Sequence, residues 1–303
     1  MSLTPLGTSG RRRLMAVHAH PDDEASKGAA TTARYAAAGV EVLVVTCTGG
    51  ERGDILNPGY TPPPGHGFET LAEKRAARRL EMAAAAKALG VRQVFLGFTD
   101  SGFPEGDPLP PLPDDAFAAL PLEQAAAPLV EAVRRFRPHV MTTYDPTGGY
   151  PHPDHIYTHT VSMEAWAAAG NAERYIVPNG AAPWAPQKLY YNHGFSMNRL
   201  RAVHAAMQAK GLESPFGDWI ASRGAREIPE REVTAKIEVA KFFGARDAAL
   251  LAHASQIDPN GFFFAVPRDL EAEVWPWDEY ELGASRIPVE RYETDLFAGV
   301  EVG

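Results

Sequence analysis

Apolar residues along this chain fall into short unbroken runs separated by alanine-rich stretches of helical period. Arg13 to Ala19 is one such run, closed by a polar turn, and predicts a strand buried on both faces. Ser26 to Ala38 predicts a helix ending at Gly39, and Val40 to Cys47 a second buried strand. The same reading gives a helix over Glu69 to Leu89, stopped by Gly90, then a strand over Gln93 to Gly97. A helix over Leu122 to Phe136, a strand over His139 to Tyr144 and a helix over Ile156 to Ala169 complete the rhythm. Strand alternating with helix predicts successive βα units. The expected fold class is therefore α/β, with a Rossmann-like, mostly parallel sheet flanked by helices.

Beyond about Asn171 the pattern is less regular, with a strand at Lys188 to Asn192 and helices at Met197 to Lys210 and Arg231 to His253. The expected organisation is a Rossmann-like core over 1–170 and a C-terminal α+β extension over 171–303, packed on the core and helping to shape the pocket. Two Pro/Gly-rich stretches, Asn57 to Gly67 and Ser101 to Asp115, follow strands and read as stiff walls around a pocket.

Composition narrows the function classes. With 45% hydrophobic residues, 303 residues can bury a sizeable core. The formal charge of -9 repels phosphate backbones, so nucleic acid is not an expected partner. Cys47 is the single cysteine, which excludes an intramolecular disulfide and fits a reducing compartment. No stretch approaches the ~20 apolar residues of a membrane span, and the cytoplasm is the expected location. No G-x-G-x-x-G follows the first strand, which argues against a dinucleotide-binding dehydrogenase.

Candidate chemistry sits at two strand ends. "VHAHPDDE" (Val17 to Glu24) follows the first strand, and "GGYPHPDH" (Gly148 to His155) follows the fourth. In a parallel sheet, ligands bind at the carboxyl ends of strands. Imidazole and carboxylate are zinc ligands, and a catalytic zinc keeps three protein ligands and an open position. His20 and Asp23, across a proline-fixed turn, supply two; His155 is the candidate third, with His152 as the alternative. Such a site lowers the pKa of water toward ~7. Asp22, beside it, can then act as general base, while Tyr150 or protonated His152 can stabilise charge on the carbonyl oxygen. His152 is also a candidate donor to a leaving amine.

These clusters, with "VVTCTGGERGD", the helix carrying Arg78, Arg79 and Glu81, and "TDSG", resemble the LmbE-like family of zinc-dependent N-deacetylases and amidases acting on glucosamine derivatives. Within it, "SKGAATTARYA", "GGYPHPDH" and "WPWDEYEL" are similar to the branch that cleaves mycothiol S-conjugates. The resemblance implies one Zn2+ per subunit on His20, Asp23 and His155, Asp22 as general base, and Tyr150 and His152 as transition-state stabilisers. It further implies substrate contacts from Arg78, Asp100 and Asp54, and a branch-specific one from Lys27. An N/O site also accepts other divalent ions such as Fe2+. The implied reaction releases a mercapturic acid and glucosaminyl-inositol from a small thiol-sugar conjugate, in detoxification. Deacetylation of N-acetylglucosaminyl-inositol is the nearest alternative, and a non-catalytic metal- or sugar-binding protein the alternative of another class.

Overall fold

The computed structural model describes residues 10–65, 67–176, 180–225 and 231–302. Its strands are β1 (Arg13–His18), β2 (Glu41–Thr48), β3 (Arg92–Phe98), β4 (Val140–Thr143), β5 (Lys188–His193), β6 (Ala235–Glu238) and β7 (Trp277–Ser285). They form one seven-stranded sheet in the order β3-β2-β1-β4-β5-β7-β6. The first five run parallel, whereas β7 is antiparallel to both β5 and β6. The expected mostly parallel α/β sheet is thus borne out.

Helices α1 (Asp23–Ser26), α2 (Ala29–Ala37), α3 (Leu71–Leu89), α4 (Leu122–Phe136), α5 (Pro153–Ala168), α6 (Met197–Ala209), α7 (Gly217–Ala225), α8 (Phe243–Ala252) and α9 (Arg268–Val274) surround it. Alternate strand residues face opposite layers. Met15 and Val17 of β1 join α4 and α5 in one core, through Leu129, Val133, Val161 and Ala165. Leu14, Val42 and Val140 face the other side, against Tyr35, Ile237 and Phe297.

Two sequence expectations are corrected. The helix expected over Ser26 to Ala38 is broken at Gly28, which stands at φ +75° between α1 and α2. A side chain at Gly28 would bring its Cβ to 2.8 Å from the Tyr280 hydroxyl. The helix expected over Arg231 to His253 is instead β6, a short 3-10 turn and α8. Its first part pairs with β7, and Ala235 and Ile237 alternate inward with Lys236 and Glu238 facing out. That alternation suits a strand face, so cross-strand pairing overrides the helical tendency of the segment.

β1 leads through α1 and α2 to β2 on one side, and β4 leads through α5 to β5 on the other. The order therefore reverses between β1 and β4. A crevice opens at such a point, beyond the carboxyl ends of the two strands.

Candidate active site

Into that crevice project the turn after β1 and the entry of α5. His152 caps α5, with Nδ1 accepting the Asp154 N–H at 3.1 Å, and Pro153 takes the first helical position, where its missing N–H costs nothing. His155, one turn in, is fully buried, and its Nδ1 donates to the Gly148 carbonyl at 3.0 Å. Gly148 stands at φ +76°, and a Cβ there would lie 2.7 Å from that of His155. The glycine lets the loop close over the ring.

With Nδ1–H committed, His155 presents the Nε2 lone pair, which has no hydrogen-bond partner among the described residues. It faces Asp23 Oδ2 at 3.4 Å. His20 faces the same oxygen with Nδ1 at 3.5 Å, while its Nε2 lies 3.1 Å from Asp154 Oδ2. Ligands about 2.1 Å from a tetrahedral centre stand about 3.4 Å apart, so these separations match a shared zinc-sized cation. His20, Asp23 and His155 lie close enough together to hold one ion. A second grouping, His20, Asp100 and His152, shares His20. In that grouping Asp100 accepts from Arg52 N at Oδ2 and from Gly102 N at Oδ1.

The charge pattern also suits a cation. Burial alone lowers the pKa of His20, but Asp100, Asp154 and Asp23 raise it well above the ordinary value. Burial raises Asp23, whereas His155 and Lys27 bring it well below the carboxylate range. Lys27 Nζ sits 2.7 Å from Asp23 Oδ1, and the Tyr144 hydroxyl donates to Oδ2 at 2.7 Å.

Asp22 flanks this cluster with φ +107°, a backbone that a non-glycine residue adopts only under restraint. Its carboxylate pairs with Arg78 at 2.8 Å, and Arg78 also donates to the carbonyls of Pro21 and Gly50, each at 2.6 Å. The Asp22 N–H donates to Glu24 Oε2 at 3.0 Å, and Glu24 Oε1 accepts from His253 Nε2 at 2.6 Å. Burial raises the Asp22 pKa, with Arg78 opposing.

Tyr150, half exposed, packs its ring 4.4 Å from that of His155. Burial and the neighbouring His20 and His155 lower His152 to about 3. Arg78 and Asp100 are both buried, the one behind Asp22 and the other in the loop after β3. Asp54 is exposed, and its carbonyl accepts from Gln256. His18 is buried, its pKa lowered to about 4 by desolvation, and its Nδ1 has no hydrogen-bond partner among the described residues. The Cys47 thiol is buried and pushed up to about 12.

Four participants escape a reading of the sequence. Asp154 lies inside a quoted motif, but its partners His20 and Ser101 come from distant strand ends. Tyr144 closes β4, where an apolar run gives no sign that its hydroxyl joins Ala19 N to Asp23. Glu24 and His253 are 229 positions apart.

A cleft of about 480 Å³ adjoins the site, sharing Lys27, Tyr144 and Tyr150 with it. Its outer wall is formed by Asn192 to Asn198, Trp219, Arg231, Val233 and Phe263. The described residues of the two Pro-rich loops do not line this cleft; the second reaches the site through Phe103, 5.6 Å from the His152 ring. His193, by contrast, does line it.

A cluster of this kind at the switch point of a Rossmann-like sheet suits metal-assisted hydrolysis. Residues 15–166 match the GlcNAc-PI de-N-acetylase (PIG-L) family. The mycothiol S-conjugate amidase of Streptomyces coelicolor is 52% identical over 289 residues, spanning 95% of this chain and 97% of its own length. A 1D-myo-inositol 2-acetamido-2-deoxy-alpha-D-glucopyranoside deacetylase of Streptomyces avermitilis is 38% identical over 298 residues, spanning 95% and 97%. Among solved structures, the N,N'-diacetylchitobiose deacetylase of Pyrococcus horikoshii shares the fold, with TM-score 0.57 at 17% identity over 89% of this chain and 83% of that one. The chain belongs to the GlcNAc-PI de-N-acetylase family, the LmbE-like family that its motifs resemble. No helix among the described residues is long and apolar enough to cross a membrane.

Proposed function

We propose that this chain is a zinc-dependent amidase that hydrolyses the bond joining glucosamine to the cysteinyl group of mycothiol S-conjugates. The observation that carries the proposal is the convergence of His20 Nδ1, Asp23 Oδ2 and His155 Nε2 at 3.4 and 3.5 Å, with Asp22 beside them. The substrate is inferred from the 52% identity to an amidase of that name, against 38% to the deacetylase.

When bound, the metal supplies a Lewis acid that acidifies water and polarises the scissile carbonyl. Asp22 takes the proton of the attacking water, and its raised pKa makes it a stronger base than an exposed aspartate. Tyr150, whose pKa is raised chiefly by burial, stays protonated and donates to the developing oxyanion. His152 accepts a backbone N–H on Nδ1 and so carries its one proton on Nε2, a second donor to that oxygen. A neutral imidazole N–H is too weak an acid to protonate an amine. The proton taken up by Asp22 is therefore the one delivered to the leaving nitrogen, and His152 acts as a hydrogen-bond donor rather than as the acid that the sequence also allows. Arg78 and Asp100 serve the substrate indirectly, by fixing the turn and loop that face it, while Lys27 and Asp54 touch it directly. Residues 171–303 act as the extension that shapes the acyl side of the pocket.

Purified protein loaded with zinc and assayed on both substrates tests this reading. A higher kcat/KM on the S-conjugate is expected; a higher value on the acetylated sugar would assign the chain to deacetylation. Asp22→Asn is expected to keep its metal and lose about 10²- to 10⁴-fold in kcat, the range of general-base catalysis. Wild-type turnover in that variant would remove Asp22 from the mechanism.

A further inference from the structure

The cleft beside the site has a chemistry that the metal cluster does not explain. In its lining Phe195 and Trp219 lie 5.4 Å apart between ring centroids, each against Phe262, at 5.3 and 5.7 Å. Phe263 adds a further aromatic side chain to the lining. Arg231 lines the same cleft, held in place by Glu281 at Nε and Asp145 at Nη1, each at 2.6 Å. Its Nη2 is buried and without a hydrogen-bond partner among the described residues, and so is Nε2 of His193. Both residues line the cleft. Buried polar atoms are almost always paired, so two residues of one cleft wall that each keep a spare polar atom are the natural partners for polar atoms of a ligand in that cleft.

We propose that this cleft seats the acyl half of the substrate, with Arg231 and His193 holding its amide and Phe195, Trp219 and Phe263 receiving a bulky apolar group on sulfur. The proposal rests on the amidase reading above. In that substrate the glucosaminyl-inositol half is a surface of hydroxyls, and only the S-substituted half is apolar enough for an aromatic wall. That half also carries an N-acyl amide a few bonds from the scissile carbonyl, a partner for the polar side chains of Arg231 and His193 in the same lining. The chain therefore selects conjugates by the size and apolarity of the sulfur substituent.

The test compares an S-methyl conjugate, an S-benzyl conjugate and the acetylated sugar on the zinc-loaded enzyme. For the wild type, kcat/KM on S-benzyl should exceed that on S-methyl about tenfold or more, the usual worth of added apolar contact. In Trp219→Leu and Phe195→Leu, substitutions that keep the site apolar and the fold supported, that ratio should shrink several-fold. The ratio is its own control, since loss of folded or metal-loaded enzyme lowers both rates alike. His193→Ala should likewise reduce the preference for an N-acetylated over a free-amine conjugate. Conjugates that are hydrolysed with an S-benzyl to S-methyl ratio near one, or a ratio the variants leave unchanged, would overturn the proposal and leave the amidase reading intact. Turnover of the acetylated sugar with none of either conjugate would overturn both.

Discussion

Asp154 acts one hydrogen bond away from the candidate ligands. Its Oδ2 accepts from His20 Nε2 and from Ser101 N, and its Oδ1 accepts from the Ser101 hydroxyl. A carboxylate behind a ligating imidazole fixes the tautomer and raises its basicity, and loss of such a partner weakens metal binding about 10- to 100-fold. Asp154→Asn is therefore expected to lose zinc to a chelator at correspondingly lower chelator concentration, while Asp22→Asn competes like the wild type. Equal retention by both variants would show that Asp154 does not support the site. Glu24 and His253 act on Asp22 in a comparable way, since Glu24 accepts the N–H of a residue held at φ +107°. Glu24→Gln is expected to lower kcat about tenfold or more with little change in KM, because only the placing of the base is disturbed. A parallel rise in KM would point to a general loosening instead. The candidate ligands themselves are legible in the sequence because histidine and aspartate cluster immediately after buried strands. Asp154, Tyr144 and the Glu24–His253 pair were not, because their roles depend on partners 53 to 229 positions away.

Among the elements, α6, α8 and α9 meet at one buried carboxylate. Glu271 of α9 accepts from Arg199 of α6 at 2.8 Å, from Arg246 of α8 at 2.8 Å, and from Arg268 of its own helix at 2.9 Å. Burial would raise its pKa, but Arg246, Arg199 and Arg268 overcome this and hold it at about 2. A depressed folded pKa stabilises above the unfolded value near 4.5, and that stability is lost as pH falls through about 2. The difference corresponds to something on the order of 3 kcal/mol. Glu271→Gln is expected to be less stable than wild type at pH 7, with the gap closing between about pH 5 and pH 2 in denaturant titrations. A gap independent of pH would mean that the arginines contribute by packing alone. This corner also marks where the sequence ceased to be informative. The core strands β1, β2 and β4 are continuous apolar runs and announce themselves. β7 is only half buried along most of its length, β6 spans four residues, and α9 is short, so none carries a periodic signal long enough to read. In the sequence "WPWDEYEL" carries only a resemblance, whereas in the fold most of it lies on β7, which joins β5 to β6.

At the scale of the molecule, the reversal of strand order between β1 and β4 gathers four carboxylates around one point. Asp22, Asp23, Asp100 and Asp154 all approach His20 or its neighbours in a crevice where three of the four are buried. Lys27 and Arg78 neutralise part of this charge, and the acidic surround raises the pKa of His20 against the effect of burial. A divalent cation placed between His20, Asp23 and His155 would supply the balance, and an ion bound only by the folded chain stabilises that chain by mass action. Free zinc at 100 times its Kd should add about 2.7 kcal/mol. For a chain of this size that corresponds to a rise in Tm of about 4 °C or more, reversed by chelator. Asp23→Ala removes a candidate ligand and a hydrogen-bond acceptor at once, so its own Tm will be lower; the discriminating quantity is the increment produced by zinc, which should vanish. An unaltered increment in Asp23→Ala would place the ion elsewhere, and no increment in the wild type would leave the crevice without its metal.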